Sequence, residues 1–199
     1  KTAAFLLPVL NRLLPDGPRK DPRCLVVSPT RELTQQTQDH MVALSRHTGL
    51  RGCSIYGGVV FGPQVRALTS GVDVVAATPG RLLDHVERRQ IKLSSVQVLV
   101  LDEADRMLDM GFLPDIRRIL ALLPRERQNL IFSATIPAEI GGLVQTICSD
   151  PVRVQIGGNT VKVPAGIRHA VYPVIHEQKL EMLLRLIRDM GKGFSLLIF

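Results

Sequence analysis

At 199 residues and 45% hydrophobic content, the chain can bury one full α/β core and begin a second, but it cannot complete two. Lys and Arg outnumber Asp and Glu by 25 to 18, and a net charge of +7 suits contact with a polyanion, although a solvated basic surface has the same composition. No stretch reaches the roughly 20 continuous apolar residues of a membrane span, and none has the charged, apolar and small-residue series of a signal peptide. Cys24, Cys53 and Cys148 are too widely spaced for a zinc pair and odd in number for a closed disulfide set, so a reducing cytoplasm is expected.

Lys1 and Thr2 run straight into Ala3, Ala4, Phe5, Leu6 and Leu7, which reads as helix interior with no N-cap before it; the chain is expected to be cut there. Pro8 falls inside this helix and should kink or end it. Short runs rich in Val, Ile and Leu follow at Cys24 to Val27, Val72 to Ala77, Val96 to Leu101, Leu130 to Phe132 and Leu196 to Phe199, and each reads as a strand buried on both faces. Helical period fills Glu32 to Ser45, Gly80 to Arg89, Phe112 to Leu122 and Glu177 to Met190. This alternation predicts an α/β fold with a parallel sheet flanked by helices, in which ligands bind beyond the carboxyl ends of the strands. Residues Gly157 to Gly166 hold three Gly and one Pro without apolar period, as an exposed connector would. The expected division is a first domain at 1–156, a linker at 157–168 and the start of a second α/β unit at 169–199, opened by Val171 to Ile175 and left unfinished at the C-terminus.

The strand ending at Leu101 runs directly into Asp102, Glu103, Ala104 and Asp105. A rigid strand end can hold Asp102 toward a Mg²⁺ and Glu103 toward an attacking water, which is the chemistry of NTP hydrolysis. The plain structural account is acidic residues favoured in the first turn of a helix. Lys1 and Thr2 match the last two positions of a phosphate loop, where a lysine neutralises phosphates and a hydroxyl ligates the metal. Three more strand-to-helix junctions carry small or hydroxyl residues: Ser28, Pro29, Thr30, Arg31 and Glu32; Thr78, Pro79, Gly80 and Arg81; and Ser133, Ala134 and Thr135. In the second, Thr78 can cap the helix with Pro79 in its first turn, leaving free N–H groups and Arg81 to face an anion, though ordinary capping explains the same residues. Gly57 and Gly58 either let a nucleic-acid backbone approach closely or form a simple turn.

His40, His47, His85, His169 and His176 have no partners at metal-ligand spacing and are expected to be solvated or helix-terminal. Met107 and Met110 are expected to pack in the core, and Arg117, Arg118, Arg125 and Arg127 to form a solvated basic face, with auxiliary RNA contact as the lesser alternative. With no Trp and only Tyr56 and Tyr172, the chain lacks the aromatic platforms of base-stacking binders.

Taken in order, Lys1-Thr2, Pro29-Thr30-Arg31-Glu32-Leu33, Gly57-Gly58, Thr78-Pro79-Gly80-Arg81, Asp102-Glu103-Ala104-Asp105 and Ser133-Ala134-Thr135 resemble the first lobe of the DEAD-box RNA helicases, with a bacterial flavour. The resemblance covers nearly the whole chain and includes Arg81 to Asp84 and Arg106 to Phe112 between the motifs. It implies a RecA-like P-loop NTPase lobe, truncated inside its phosphate loop, followed by the truncated start of a second RecA-like lobe. It further implies that Lys1 and Thr2 hold ATP phosphates, that Thr2 and Asp102 hold Mg²⁺, and that Glu103 serves the hydrolytic water. Asp105, Ser133 and Thr135 would couple nucleotide state to lobe closure. Pro29, Thr30, Arg31, Gly57, Gly58, Thr78, Pro79, Gly80 and Arg81 would hold the RNA sugar-phosphate backbone without reading sequence. The implied function is ATP-dependent local unwinding of RNA duplexes, with a DNA translocase of the same superfamily or an RNA-binding scaffold without turnover as rivals. The phosphate-loop glycines, the adenine-recognising Gln segment and the arginine-bearing motifs of the second lobe lie outside the chain. Because an arginine finger supplies on the order of 10³ in rate or more, the chain alone is expected to hydrolyse ATP negligibly.

Overall fold

The computed structural model describes residues 1–156, 166, 168, 170–191 and 193–198. The fold divides after Val152 into two compact units. The first begins with α1 (Thr2–Leu13) and continues through β1 (Cys24–Val27), α2 (Arg31–Ser45), β2 (Gly52–Ile55), α3 (Phe61–Thr69), β3 (Val74–Ala77) and α4 (Pro79–Glu87). It is completed by β4 (Val98–Leu101), α5 (Ala104–Asp109), α6 (Leu113–Leu122), β5 (Gln128–Ile131) and α7 (Ala138–Ile147). The five strands form one parallel sheet in the order β2-β3-β1-β4-β5.

The sequence of the central strands explains their place. Every residue of β1, β3 and β4 is buried, because helices cover both faces of the sheet. Alternate side chains then serve two cores. Leu25, Val27, Val75, Ala77, Leu99 and Leu101 face one with Leu82, Met107, Ile116 and Ile119. Cys24, Val26, Val74, Ala76, Val98 and Val100 face the other with Phe5, Leu6, Val9 and Met41. Strand ends are flush: Val27 lies beside both Ala77 and Leu101, Ile55 beside Ala77, and Leu101 beside Ile131. The residues that follow the strands therefore stand in one row along the carboxyl edge.

Several expectations change. Helix α1 passes through Pro8 unbroken, with Phe5, Leu6, Val9, Leu10 and Leu13 buried along one face, so packing on the sheet outweighs the lost hydrogen bond. The strands begin at Val74 and Val98 rather than Val72 and Val96, and β5 lies at Gln128–Ile131, the register that β4 imposes. Met107 is fully buried, but Met110, just beyond α5, is 48% exposed. His85 sits in the last turn of α4 yet is fully buried, with Nε2 3.0 Å from Gln64 Oε1. Its burial lowers its pKa. Within the basic cluster, Arg118 pairs with Glu87 at 2.7 Å and Arg127 is half-buried against Asn129 and the Pro124 carbonyl.

The second unit, from Arg153, holds α8 (Lys179–Asp189). Residues 171–175, expected to open the second unit, and 196–198, of the strand expected at Leu196 to Phe199, form no strand, and Val171, Ile175 and Leu197 are exposed. A strand is held by its ladder partner, and no described segment of this unit supplies one. The connector expected at 157–168 lies outside the described residues except for Gly166 and Arg168, as do His169 and Phe199.

At the opposite, amino edge of the sheet, Arg23 and Asp73 form a buried ion pair with Nη2 2.7 Å from Oδ1. Arg23 also donates to the Leu13 carbonyl at 3.0 Å and the Gly17 carbonyl at 2.6 Å, while Asp73 accepts from the Arg19 and Arg51 N–H groups at 2.8 and 3.0 Å. This network ties the loops entering β1, β2 and β3. Asp73→Ala removes the buried carboxylate and leaves the guanidinium only the half-exposed Asp16, 3.3 Å away, and is expected to cost about 3 kcal/mol in urea-unfolding free energy. A loss below about 1 kcal/mol contradicts that role.

Candidate functional site

The carboxyl edge has two halves. At one, β4 and β5 deliver the acidic series and the Ser133 loop. Asp102 closes the ladder, donating its N–H to the Val27 carbonyl at 2.9 Å, and is buried at 6% exposure. Its Oδ1 accepts the Glu103 N–H at 3.1 Å, and Oδ2 has no hydrogen-bond partner among the described residues. Burial raises its pKa above the ordinary carboxylate value and the neighbouring Glu103 charge adds to this, while the positive charge of Lys1 and the Glu103 N–H act in the other direction. A desolvated, half-satisfied carboxylate facing a lysine fits a divalent cation. Lys1 stands at the N-cap of α1 and Thr2 is its half-buried first residue, so the helix N-terminus joins the same end of the site.

Glu103 has φ 53° and ψ 53°, a left-handed conformation that costs a side-chain-bearing residue about 1–2 kcal/mol. The sharp turn from β4 into α5 requires it. The Glu103 side chain keeps 28% exposure and meets Arg106 at 3.3 Å. Asp105 lies in the first turn of α5, where its Oδ2 accepts from the Thr135 N–H at 2.8 Å and from the Thr135 hydroxyl at 2.9 Å. The Asp105 N–H donates to Ser133 Oγ at 3.2 Å, that hydroxyl donates to the Thr135 carbonyl at 2.6 Å, and the Ala104 N–H donates to the Phe132 carbonyl at 3.0 Å. Partial burial pushes the Asp105 carboxyl up, but the hydrogen bonds from Thr135 and Ser133 outweigh it and hold the pKa below the usual value. The start of α5 is thus stitched to the exit of β5. Phe132 packs on Phe5 of α1 at 5.4 Å between ring centroids, so the same loop touches the helix that carries Lys1 and Thr2.

At the other half, β1, β3 and β2 deliver the remaining motifs. Thr30 caps α2, its Oγ1 accepting the Leu33 N–H at 3.3 Å. Arg31 is exposed and pairs with Glu32 at 2.7 Å. Gly58 has φ 79°, which favours glycine, and its missing Cβ would stand 3.9 Å from Arg31 Nη1; Gly57 opens on free space. Arg81 donates from Nη1 to the Val59 carbonyl at 3.0 Å. Arg31, Gly57, Gly58 and Arg81 therefore meet in one place, although 50 positions separate Arg31 from Arg81 in sequence.

Some expected roles need correction here. Thr78 occupies the N-cap of α4, but its hydroxyl makes no capping bond. Pro29 and Pro79 are buried, so they shape their turns and present little surface, whereas Gly80 is exposed with open space above it. Arg81 does not stand free for an anion: its side chain is 10% exposed and lies 4.1 Å above the Phe61 ring. The supporting residues Phe61, Gln64, Tyr56, His85 and Phe132 had no signal in sequence beyond sitting near a motif.

A family model described as DEAD/DEAH box helicase matches residues 1–142. The chain belongs to this family. DEAD-box ATP-dependent RNA helicase 40 of rice is 42% identical over 202 residues, covering all of this chain and 26% of that protein. RNA helicase CrhR of Synechocystis is 40% identical over 199 residues, covering all of this chain and 40% of that protein. DEAD-box ATP-dependent RNA helicase CshA of Bacillus subtilis is 38% identical over 187 residues, covering 94% and 37%. This DEAD/DEAH box chain therefore spans between about a quarter and two-fifths of these relatives. Among solved structures, the yeast DEAD-box splicing factor Prp28 superposes with a TM-score of 0.72 at 32% identity, covering 79% of this chain and 40% of that one. A hypothetical ATP-dependent RNA helicase from Sulfolobus tokodaii superposes with 0.67 at 38% identity, covering 75% and 42%. The RecA-like arrangement of the DEAD/DEAH box lobe agrees with both.

The raised pKa of Asp102 has a sign. An acid whose folded pKa exceeds its unfolded value, about 3.9, makes its full contribution to stability below that value and loses it as pH rises through the folded pKa. Without metal or nucleotide, Asp102→Asn is expected to raise the unfolding temperature at pH 7 by about 2 °C or more, with the gain shrinking toward pH 4. A lower unfolding temperature at pH 7 contradicts this.

Proposed function

We propose that this chain is the ATP-binding lobe of an ATP-dependent RNA helicase, which couples ATP hydrolysis to ADP and phosphate with local opening of RNA duplexes. The relatives named as ATP-dependent RNA helicases support the reading. One observation of geometry carries it furthest: the Asp105 carboxylate accepts both donors of Thr135, joining the acidic turn after β4 to the loop after β5. Residues 1–156 form the first lobe on this reading, 157–168 the connector and 169–199 the beginning of a second RecA-like lobe, in a protein of the reducing cytoplasm. Burial pushes the Cys24 and Cys53 thiols up to about 12, so both stay protonated and inert there.

Lys1 neutralises the ATP phosphates at the N-terminus of α1, where the helix dipole favours negative charge. Asp102 and Thr2 would hold the Mg²⁺, which when bound offsets the charge of the phosphate oxygens. Glu103, held partly exposed by its left-handed turn, orients the attacking water and accepts its proton. Asp105, Ser133 and Thr135 move as one hydrogen-bonded unit, so a change at the phosphates shifts the Ser133 loop as well. Arg31, Gly57, Gly58, Thr78 and Gly80, with Thr30 shaping the α2 turn, hold the RNA sugar-phosphate backbone, and such contacts carry no base sequence.

The test is ATP turnover by the full-length gene product with and without RNA. Turnover is expected to rise with RNA and to fall by about 100-fold or more in Glu103→Gln. RNA binding without turnover in the wild type contradicts the enzyme reading. Stimulation by single-stranded DNA equal to that by RNA of the same length contradicts the RNA reading.

A further inference from the structure

Arg81 closes the turn that carries Gly57 and Gly58, and the ring of Phe61 lies beneath it. The guanidinium carbon of Arg81 is 4.1 Å from the Phe61 ring centroid, and that of Arg88 is 4.6 Å from the same centroid. Phe61 opens α3 directly after the turn and is half-buried, and the His85 ring packs on it at 5.0 Å between centroids. Arg81 and His85 of α4 and Arg88 at its C-cap recur at helical spacing, so one stripe at the end of that helix covers one ring of α3. From this seat Arg81 reaches the Val59 carbonyl at 3.0 Å, and Val59 is the residue after Gly58. A second support comes from below: Gln64 donates to the Tyr56 carbonyl at 3.0 Å and meets His85 at 3.0 Å. The turn is thus fixed on both sides, before its glycines through Tyr56 and after them through Val59.

Charge gives the arrangement a direction. Two guanidinium groups share one aromatic ring, and the carboxylate nearest to them is Asp84, 3.7 Å from Arg81 Nε and itself 53% exposed. Arg88 has no ion pair among the described residues. An aromatic face attracts a cation where carboxylates are scarce, without cancelling its charge. The turn is therefore held rigid while the surface beside it stays positive, which suits a turn that must accept a phosphate backbone.

We propose that Phe61 is a positioning residue for RNA: its ring seats Arg81 so that the guanidinium clamps the Val59 carbonyl and presets the Gly57-Gly58 turn for the RNA backbone. The inference rests on the reading that RNA is held at this half of the sheet edge. Phe61 itself does not touch the RNA.

The experiment uses the full-length gene product, with a fluorescein-labelled single-stranded oligouridine as probe in an anisotropy titration, for wild type, Phe61→Leu, Phe61→Trp and Arg81→Lys. Phe61→Leu keeps an apolar side chain of similar size but removes the π face. It is expected to weaken RNA binding about fivefold or more, as loss of a cation–π contact of this kind implies. Phe61→Trp, which keeps the π face, is expected to restore affinity to within about twofold of wild type. Arg81→Lys keeps the charge but lacks the planar fork and is expected to resemble Phe61→Leu. Unfolding temperatures of the three variants are expected within about 2 °C of wild type. Wild-type affinity in Phe61→Leu overturns the proposal. Equal weakening in Phe61→Leu and Phe61→Trp, or weakening matched by a fall in unfolding temperature, overturns it in favour of plain packing. A wild-type protein that does not bind the oligouridine overturns the RNA reading itself, an outcome distinct from the others.

Discussion

The flush register of the parallel ladder is the constraint on which the rest depends. Because Val27 lies level with both Ala77 and Leu101, and these with Ile55 and Ile131, five strand exits fall on one line. A slip of one residue in any pair would turn that strand's side chains to the opposite face and pull its exit loop out of line. The register is enforced by burial, since each central strand serves one core with its even positions and the other with its odd positions. Strand order then sorts the exits: the loops after β2, β3 and β1 gather Arg31, Gly57, Gly58 and Arg81, and those after β4 and β5 gather Asp102, Glu103, Asp105, Ser133 and Thr135. The border runs between β1 and β4, where the order of the strands reverses direction, the place where ligands bind in open α/β sheets.

Stability is given up along this edge. Asp102 is a desolvated carboxylate with one internal hydrogen-bond donor, and Glu103 occupies a backbone region that glycine would enter without strain. Both follow directly from ending a buried strand in acid and turning at once into a helix. Asp105 is the opposite case, since its hydrogen bonds from Thr135 and Ser133 more than offset its partial burial. The tension is concentrated on two residues and relieved on the third, and that third residue bridges to the next strand. At the far edge, the Arg23–Asp73 pair anchors the loops entering the strands. That end of the sheet therefore stays fixed.

Much of this was legible in sequence because the physics is local. Cys24 to Val27 reads as a doubly buried strand for the reason that it is one, and the abrupt change from Leu101 to Asp102 marks a strand exit without help from other residues. What was not legible depends on distant partners. Helices α3 and α7 carry Gly62 with Pro63 and Gly141 with Gly142, weak helix formers whose helicity comes from packing on the sheet. Residues 171–175 have the composition of a strand, but composition cannot supply a ladder. The largest shift concerns Arg81: its place after Thr78, Pro79 and Gly80 suggests an anion contact, whereas its geometry depends on Val59 and Phe61, which no spacing rule connects to it.

On the proposed reading, the link from Asp105 to Thr135 couples the phosphate site after β4 to the Ser133 loop after β5. A double-mutant cycle of Asp105→Asn and Thr135→Val in the full-length gene product, read as RNA-stimulated ATP turnover, tests it most directly. Each single change is expected to lower the stimulated rate and the double variant to be little worse than either, with a coupling of about 1–3 kcal/mol. Additive losses, or single variants that keep wild-type stimulation, would contradict it.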